Sequence, residues 1–156
     1  MSENSNWTIR PAHGEDLHFI YSTWLNNVWA SSEHDIACSK HFFFTSYSKV
    51  IDEILNDKAT LVSVACAPDD ASVIYGYCVS HNKTIHFIFV KSIFRRCGIA
   101  TALCERIEFD GSMTHLSKML RGFNQFLDYK PELLPDILIS GKTFFKIGVT
   151  DGKEKH

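Results

Sequence analysis

The residues best equipped for chemistry lie in one stretch, Phe89-Val90-Lys91-Ser92-Ile93-Phe94-Arg95-Arg96-Cys97-Gly98-Ile99-Ala100-Thr101. The large apolar residues of a strand run into two arginines, a glycine and the start of a helix. Free N–H groups at a helix start carry an effective positive partial charge, and a glycine lets the main chain approach a phosphate closely. The N–H groups from about Arg96 to Thr101 are therefore candidates for holding a diphosphate, with Arg95 and Arg96 adding charge and Lys91 in reach of an outer phosphate. Upstream, the segment Thr84 to Val90 contains no carboxylate, and His86 is its one group suited to proton transfer near neutrality. His34, Cys38 and His41 are spaced by four and three, so a helix would align them as metal donors. A fourth ligand is missing and no metal site is expected.

The elements that must position these groups follow from periodicity. Thr8 to Ala12 reads as a short strand ended by Pro11. Leu17, Ile20, Trp24 and Val28 repeat at helical spacing behind Glu15 and Asp16, which suit a helix N-terminus. A second helix is expected from the low 40s to Asn56, with Val50, Ile51, Ile54 and Leu55 on its buried side and Phe42-Phe43-Phe44 filling core. Thr60 to Cys66, Val73 to Ser80 and Thr84 to Val90 are strands separated by the turn-forming Ala67-Pro68-Asp69-Asp70 and His81-Asn82-Lys83, which predicts an antiparallel meander. Strict alternation along the last of them puts Thr84, His86, Ile88 and Val90 on one face. A third helix should run from Gly98 to about Phe109. Ser112 to Leu116 reads as a fifth strand, Ser117 to Phe126 as a helix, and Ile137 to Ser140 with Thr143 to Val149 as a hairpin around Gly141.

A chain of 156 residues fits one domain, and 45% hydrophobic with 22% charged residues is a globular composition. No apolar stretch approaches the roughly 20 residues of a membrane span, and the first residues lack the basic and apolar regions of a secretory signal, so a cytoplasmic protein without membrane contact is expected. Five cysteines without a closely spaced pair read as reduced thiols, mostly in the core. The formal charge of −2 names no partner.

In this setting the loop resembles the acyl-CoA-binding signature of the GCN5-related N-acetyltransferases. In that signature a strand ends in a small aliphatic residue, and five residues later comes Arg or Gln, two residues, Gly, one residue, and Gly or Ala. Val90, Arg95, Gly98 and Ala100 fill those places, and Phe94 supplies the aromatic residue usual before the Arg. The resemblance covers about residues 7 to 126. It implies an α/β (α+β) fold with a mixed, mostly antiparallel sheet flanked by helices, and acetyl-CoA as acyl donor. The diphosphate would lie on Arg95, Arg96, Cys97, Gly98, Ile99, Ala100 and Thr101, and the pantetheine arm along the strand edge from Phe87 through Val90, Phe89 and Val90 among its contacts, beside a splayed fifth strand. The implied reaction is acetyl transfer to a primary amine by direct attack in a ternary complex. Family members commonly use a carboxylate or water chain as base and a tyrosine as acid. Here His86 is the candidate base and Tyr129 the candidate acid, with Thr114 and His115 as alternatives to the latter. Compact size, a Trp-containing first helix and the arginine-rich loop are also similar to short acetyltransferase-like proteins of bacteriophages. Relatives of those proteins modify nucleobases, so a nucleic-acid acceptor held by Arg95, Arg96, Lys118 and Arg121 is one alternative. A ligand- or partner-binding module without catalysis is another.

Overall fold

A computed structural model of the chain describes residues 6–32 and 39–114, together with the backbone of three short strands at 128–129, 138–139 and 142–143. The first strand, β1 (Thr8–Pro11), leads through a 3-10 turn at Gly14–Asp16 into α1 (Leu17–Ser32). Helix α2 (Lys40–Asn56) begins where the Ser39 hydroxyl accepts the Phe42 N–H at 3.1 Å, a side-chain cap for one of the N–H groups a helix start leaves unpaired. Strands β2 (Thr60–Ala67), β3 (Asp70–His81) and β4 (Thr84–Val90) follow, then a 3-10 turn at Ser92–Phe94 and helix α3 (Ile99–Arg106). Four short strands complete the order: β5 (Ser112–Met113), β6 (Asp128–Tyr129), β7 (Leu138–Ile139) and β8 (Lys142–Thr143).

The main sheet runs β1-β2-β3-β4-β5-β6, with antiparallel pairing through β4 and parallel pairing of β5 with β4 and of β6 with β5. Strands β7 and β8 form a separate antiparallel pair at the position of the expected hairpin. The expected α/β class and antiparallel meander are present.

The sheet is covered on both faces. Ile20, Trp24, Phe43, Tyr47 and Ile51 of α1 and α2 bury against Val64, Tyr77, Val79 and Phe87, with the Trp24 and Phe87 rings stacked at 5.2 Å. Ile99, Leu103 and Cys104 of α3 cover Ile85, Ile88, Val90 and Met113 on the other face. Each such aliphatic or aromatic side chain contributes about 1.5–3 kcal/mol by leaving water. The phenylalanine triplet divides, with Phe43 in the core, Phe44 packed at its margin and Phe42 exposed. Among the described residues no helix is long and apolar enough to cross a membrane.

Two elements are shorter than their sequence signals. Helix α3 stops at Arg106 because Glu108, at φ 55°, donates to the Glu105 carbonyl at 3.1 Å while Phe109 returns to the Cys104 carbonyl at 3.0 Å. This is the left-handed helix ending usually marked by glycine, here made by a glutamate. Strand β5 is described at Ser112–Met113 with Thr114 already outside it, and His115 and Leu116 of the expected strand lie outside the described residues.

Candidate acyl-CoA and acceptor site

Strand β4 carries one residue more than β3 opposite it. Val79 pairs with Phe87 and Ser80 with Ile85, so His86 is left over as a β-bulge. A bulge resets the side-chain phase. His86 and Phe87 both turn toward α1 and α2, and Ile85, Ile88 and Val90 turn toward α3. The strict alternation expected from the sequence, with His86 on the face of Ile88 and Val90, is corrected by this extra residue.

The bulge also sets which main-chain groups are free. Lys91 N–H donates to the Tyr75 carbonyl at 2.9 Å, which fixes the ladder so that Phe89 and Phe87 bond to β3 while Ile88 and Val90 aim their N–H and C=O groups at the outer edge. On that edge β5 pairs only at Ile85, where Thr114 N–H reaches the Ile85 carbonyl at 2.9 Å. Among the described residues no strand continues along Ile88 to Val90. A strand-like arm laid there would pair with Ile88 and Val90; Phe89 instead buries its ring beside Phe19 and Tyr77, at 5.9 Å from each. The sequence reading took the whole of Phe87 to Val90 as this edge, and the phase of the ladder selects Ile88 and Val90 within it as the residues whose main-chain groups point outward.

Beyond Val90 the Arg95 Nε donates to the Val90 carbonyl at 3.0 Å and ties the loop back to the strand end. Phe94 stacks on Tyr75 at 3.8 Å and holds the other side. Arg96 at φ 65° and Gly98 at φ 89° curl the chain into α3, whose N-cap Gly98 provides no side-chain cap. The first bond in the helix is Ala102 N–H to the Gly98 carbonyl at 3.0 Å, so Ile99, Ala100 and Thr101 have no partner within the helix for their N–H groups. Nothing lies within 4 Å of the place a Cβ on Gly98 would occupy. This open cradle of N–H groups flanked by exposed Arg95 and Arg96 fits a diphosphate. Cys97 is exposed in the loop, an exception to the core placement expected for the cysteines, and Lys91 lies with its ammonium 5.2 Å from the Phe19 ring centre.

On the α2 side, His86 lines a cavity of about 140 Å³ together with Glu53, Ile54, Asp57, Thr60, His81 and Thr84. The imidazole is 4% exposed. Its Nδ1 lies 2.9 Å from the Thr114 hydroxyl. Burial, with nearby His81 acting in the same direction and Asp57 opposing, lowers its pKa to about 4, so it is neutral at physiological pH. His81 sits at the cavity mouth with Nε2 3.3 Å from an Asp57 carboxylate oxygen. Glu53, Asp57 and His81 were not singled out from sequence, since the end of α2 and the end of β3 that carry them are joined only by the fold.

Tyr129 stands in β6 opposite Met113, and its side chain lies outside the described residues. So do His34, Cys38, His115, Lys118, Arg121 and the expected helix from Ser117. No group of three metal-ligating side chains occurs among the described residues.

No protein-family model and no curated relative matches the sequence. Among solved structures, a Pyrococcus furiosus protein described as an acetyl transferase superimposes with a TM-score of 0.55 at 18% identity, over 65% of this chain and 72% of that one. Spermidine N-acetyltransferase from Vibrio cholerae, in complex with CoA and spermine, gives 0.42 at 19% identity over 66% of this chain. A GCN5-related N-acetyltransferase from Kribbella flavida gives 0.46 at 15% over the same share. The chain spans less than two thirds of those last two proteins, 62% and 63% of their lengths. With the sheet order, the bulged fourth strand and the open loop before α3, the superposition on the Pyrococcus furiosus protein gives the chain the fold of the GCN5-related N-acetyltransferases.

Proposed function

We propose that this protein transfers an acyl group, most simply acetyl, from acyl-CoA to a primary amine. The observation that carries the reading is the uncapped start of α3 at Gly98, continuous with a β4 edge on which the Ile88 N–H and C=O and the Val90 N–H point outward toward a pantetheine arm, while the Val90 carbonyl is already held by Arg95. The similarity in fold to a described acetyl transferase supports it.

In this reading the amine lone pair attacks the thioester carbonyl carbon, the C–N bond forms, the C–S bond breaks, and the thiolate leaves and takes up a proton. The amine must also lose a proton. A group with a pKa of about 4 is too weak to deprotonate a free alkylammonium efficiently, but an amine already bonding to a carbonyl carbon is far more acidic. Neutral His86, oriented by Thr114, accepts that proton directly or through water. Tyr129 is the proposed acid for the thiolate. The alternative is a non-catalytic binding module, favoured by the low basicity of His86 together with the absence of a carboxylate on β4.

The test is calorimetric titration with acetyl-CoA of the wild type, Gly98→Asn and Gly98→Asp. Both substitutions impose the same left-handed backbone cost on a β-carbon, and only Asp adds negative charge beside the phosphates. Saturable binding that Asp weakens at least about tenfold more than Asn is expected, equivalent to one charged contact. Equal affinities for Asn and Asp would remove the phosphate assignment. Binding without thiol release on any amine would select the non-catalytic alternative.

A further inference from the structure

The C-terminal end of α2 is charged against its own dipole. A helix ends in exposed carbonyls that favour cations, yet the last turn of α2 has no basic residue, and Asp52, Glu53 and Asp57 gather there. Asp52 is engaged by the Tyr21 hydroxyl. Asp57 is held in place by the Ala59 N–H, which donates to its Oδ1 at 2.9 Å, leaving Oδ2 toward His81. Glu53 has no ion pair among the described residues, and Lys58, exposed just beyond, is paired with neither carboxylate. Glu53 is therefore left at the negative end of the helix with no counterion among the described residues, a place that an external cation can fill.

The cavity lined by Glu53 and Asp57 contains two further marks of a missing ligand. Thr60 Oγ1 is buried without a hydrogen-bond partner. His86, one of the most deeply buried polar side chains, has its Nδ1 on Thr114 and no partner for Nε2 among the described residues. Among the described residues these carboxylates and histidines do not form a group of three that could hold a metal ion, and an organic cation is the occupant argued for. At about 140 Å³ the space is close to the roughly 150 Å³ that admits a benzene ring, enough for an ammonium and several methylenes.

We propose that this cavity is the acceptor pocket and that it selects a slender alkylammonium, the aminoalkyl end of a diamine or polyamine, through Glu53 and Asp57 at its mouth with Thr60 and His86 as inner polar contacts. The inference rests on the acyl-transfer reading for the identity of the pocket as an acceptor site; the binding itself does not require it. A cation drawn in by the carboxylates reaches the bulge of β4 from the α2 face, while the open strand edge and the loop before α3 leave the opposite approach to the acyl donor. Bulky cyclic amines do not fit the space.

The experiment titrates 1,5-diaminopentane and, separately, 1,5-pentanediol into the protein without acyl-CoA, and repeats the diamine titration with Glu53→Gln/Asp57→Asn. The diamine should bind saturably and the diol should not, and the double substitution should weaken the diamine about tenfold or more. Both residues lie at the surface, so the variant is expected to fold, which its circular dichroism checks. Acetyl-CoA binding by the same protein with no diamine binding, or diamine affinity indifferent to the double substitution, overturns the pocket and leaves the acyl-transfer reading standing. Diamine binding that follows the carboxylates, with no acetylated product, sustains the pocket and removes that reading instead.

Discussion

His86 separates a folding role from a catalytic one by its protonation. Its pKa falls from the ordinary 6.5 to about 4 in the folded protein, so between those values the unfolded chain binds the proton and the native state does not. The stability this neutral histidine contributes is therefore complete above about pH 6.5 and is lost as the pH falls toward 4, by up to about 3 kcal/mol. Thermal melts at several pH values should show the wild type losing stability over that interval more steeply than His86→Gln, which keeps a polar side chain near Thr114 and cannot titrate. Parallel curves would show that the imidazole is not buried as described. Activity of the same variant separates the roles: a large loss of kcat at pH 7.5 with little loss of melting temperature there is expected of a proton acceptor. At this scale the sequence was informative about type and uninformative about environment. It marked His86 and Thr114, but only the folded sheet places Thr114 2.9 Å from the ring and moves the pKa out of the neutral range.

At the scale of elements, β3 and β4 carry the site between them, and Gly76 decides how closely they meet. A Cβ on Gly76 would stand 2.5 Å from the Phe89 carbonyl oxygen and 3.0 Å from the Val90 Cα, both backbone atoms that cannot swing away. Gly76→Ala should therefore spread the strands at the Gly76–Val90 pair, where the loop to α3 begins. Overpacking of this kind costs about 1–3 kcal/mol, and here it should also weaken acetyl-CoA binding, since Val90 supplies the end of the free edge. A variant that melts and binds like the wild type would contradict the register. The pattern of elements was legible through β4 because each strand is rich in β-branched or apolar residues and each turn carries its own chemistry. Two features had no local signal. The bulge at His86 depends on β4 having one residue more than its partner, a property of a pair that neither strand shows alone. The end of α3 used Glu108, where the sequence suggested a helix continuing to about Phe109.

For the whole molecule, the proposed donor edge and the proposed acceptor pocket lie on different approaches to β4, and this bears on the order of the proposed reaction. A double-displacement route needs a nucleophile that can take the acyl group before the amine arrives, and the four thiols among the described residues are poorly placed for it. Cys66, Cys78 and Cys104 are buried, and burial pushes up the thiols of Cys78 and Cys104, the latter to about 12, so neither offers a thiolate at neutral pH. Cys97 is exposed, but its Sγ lies against the Arg95 carbonyl at 3.6 Å in the loop assigned to the phosphates, a pantetheine length away from any thioester bound there. Direct attack in a ternary complex is then the route the proposed acyl transfer predicts. Initial-velocity plots with acetyl-CoA and a diamine varied together should intersect, and Cys97→Ser should keep the wild-type kcat. Parallel lines, together with an inactive Cys97→Ser variant carrying no acetyl label, would instead establish an acyl-cysteine and would require the thioester to enter at the α3 loop, reversing the orientation assigned to the donor along β4.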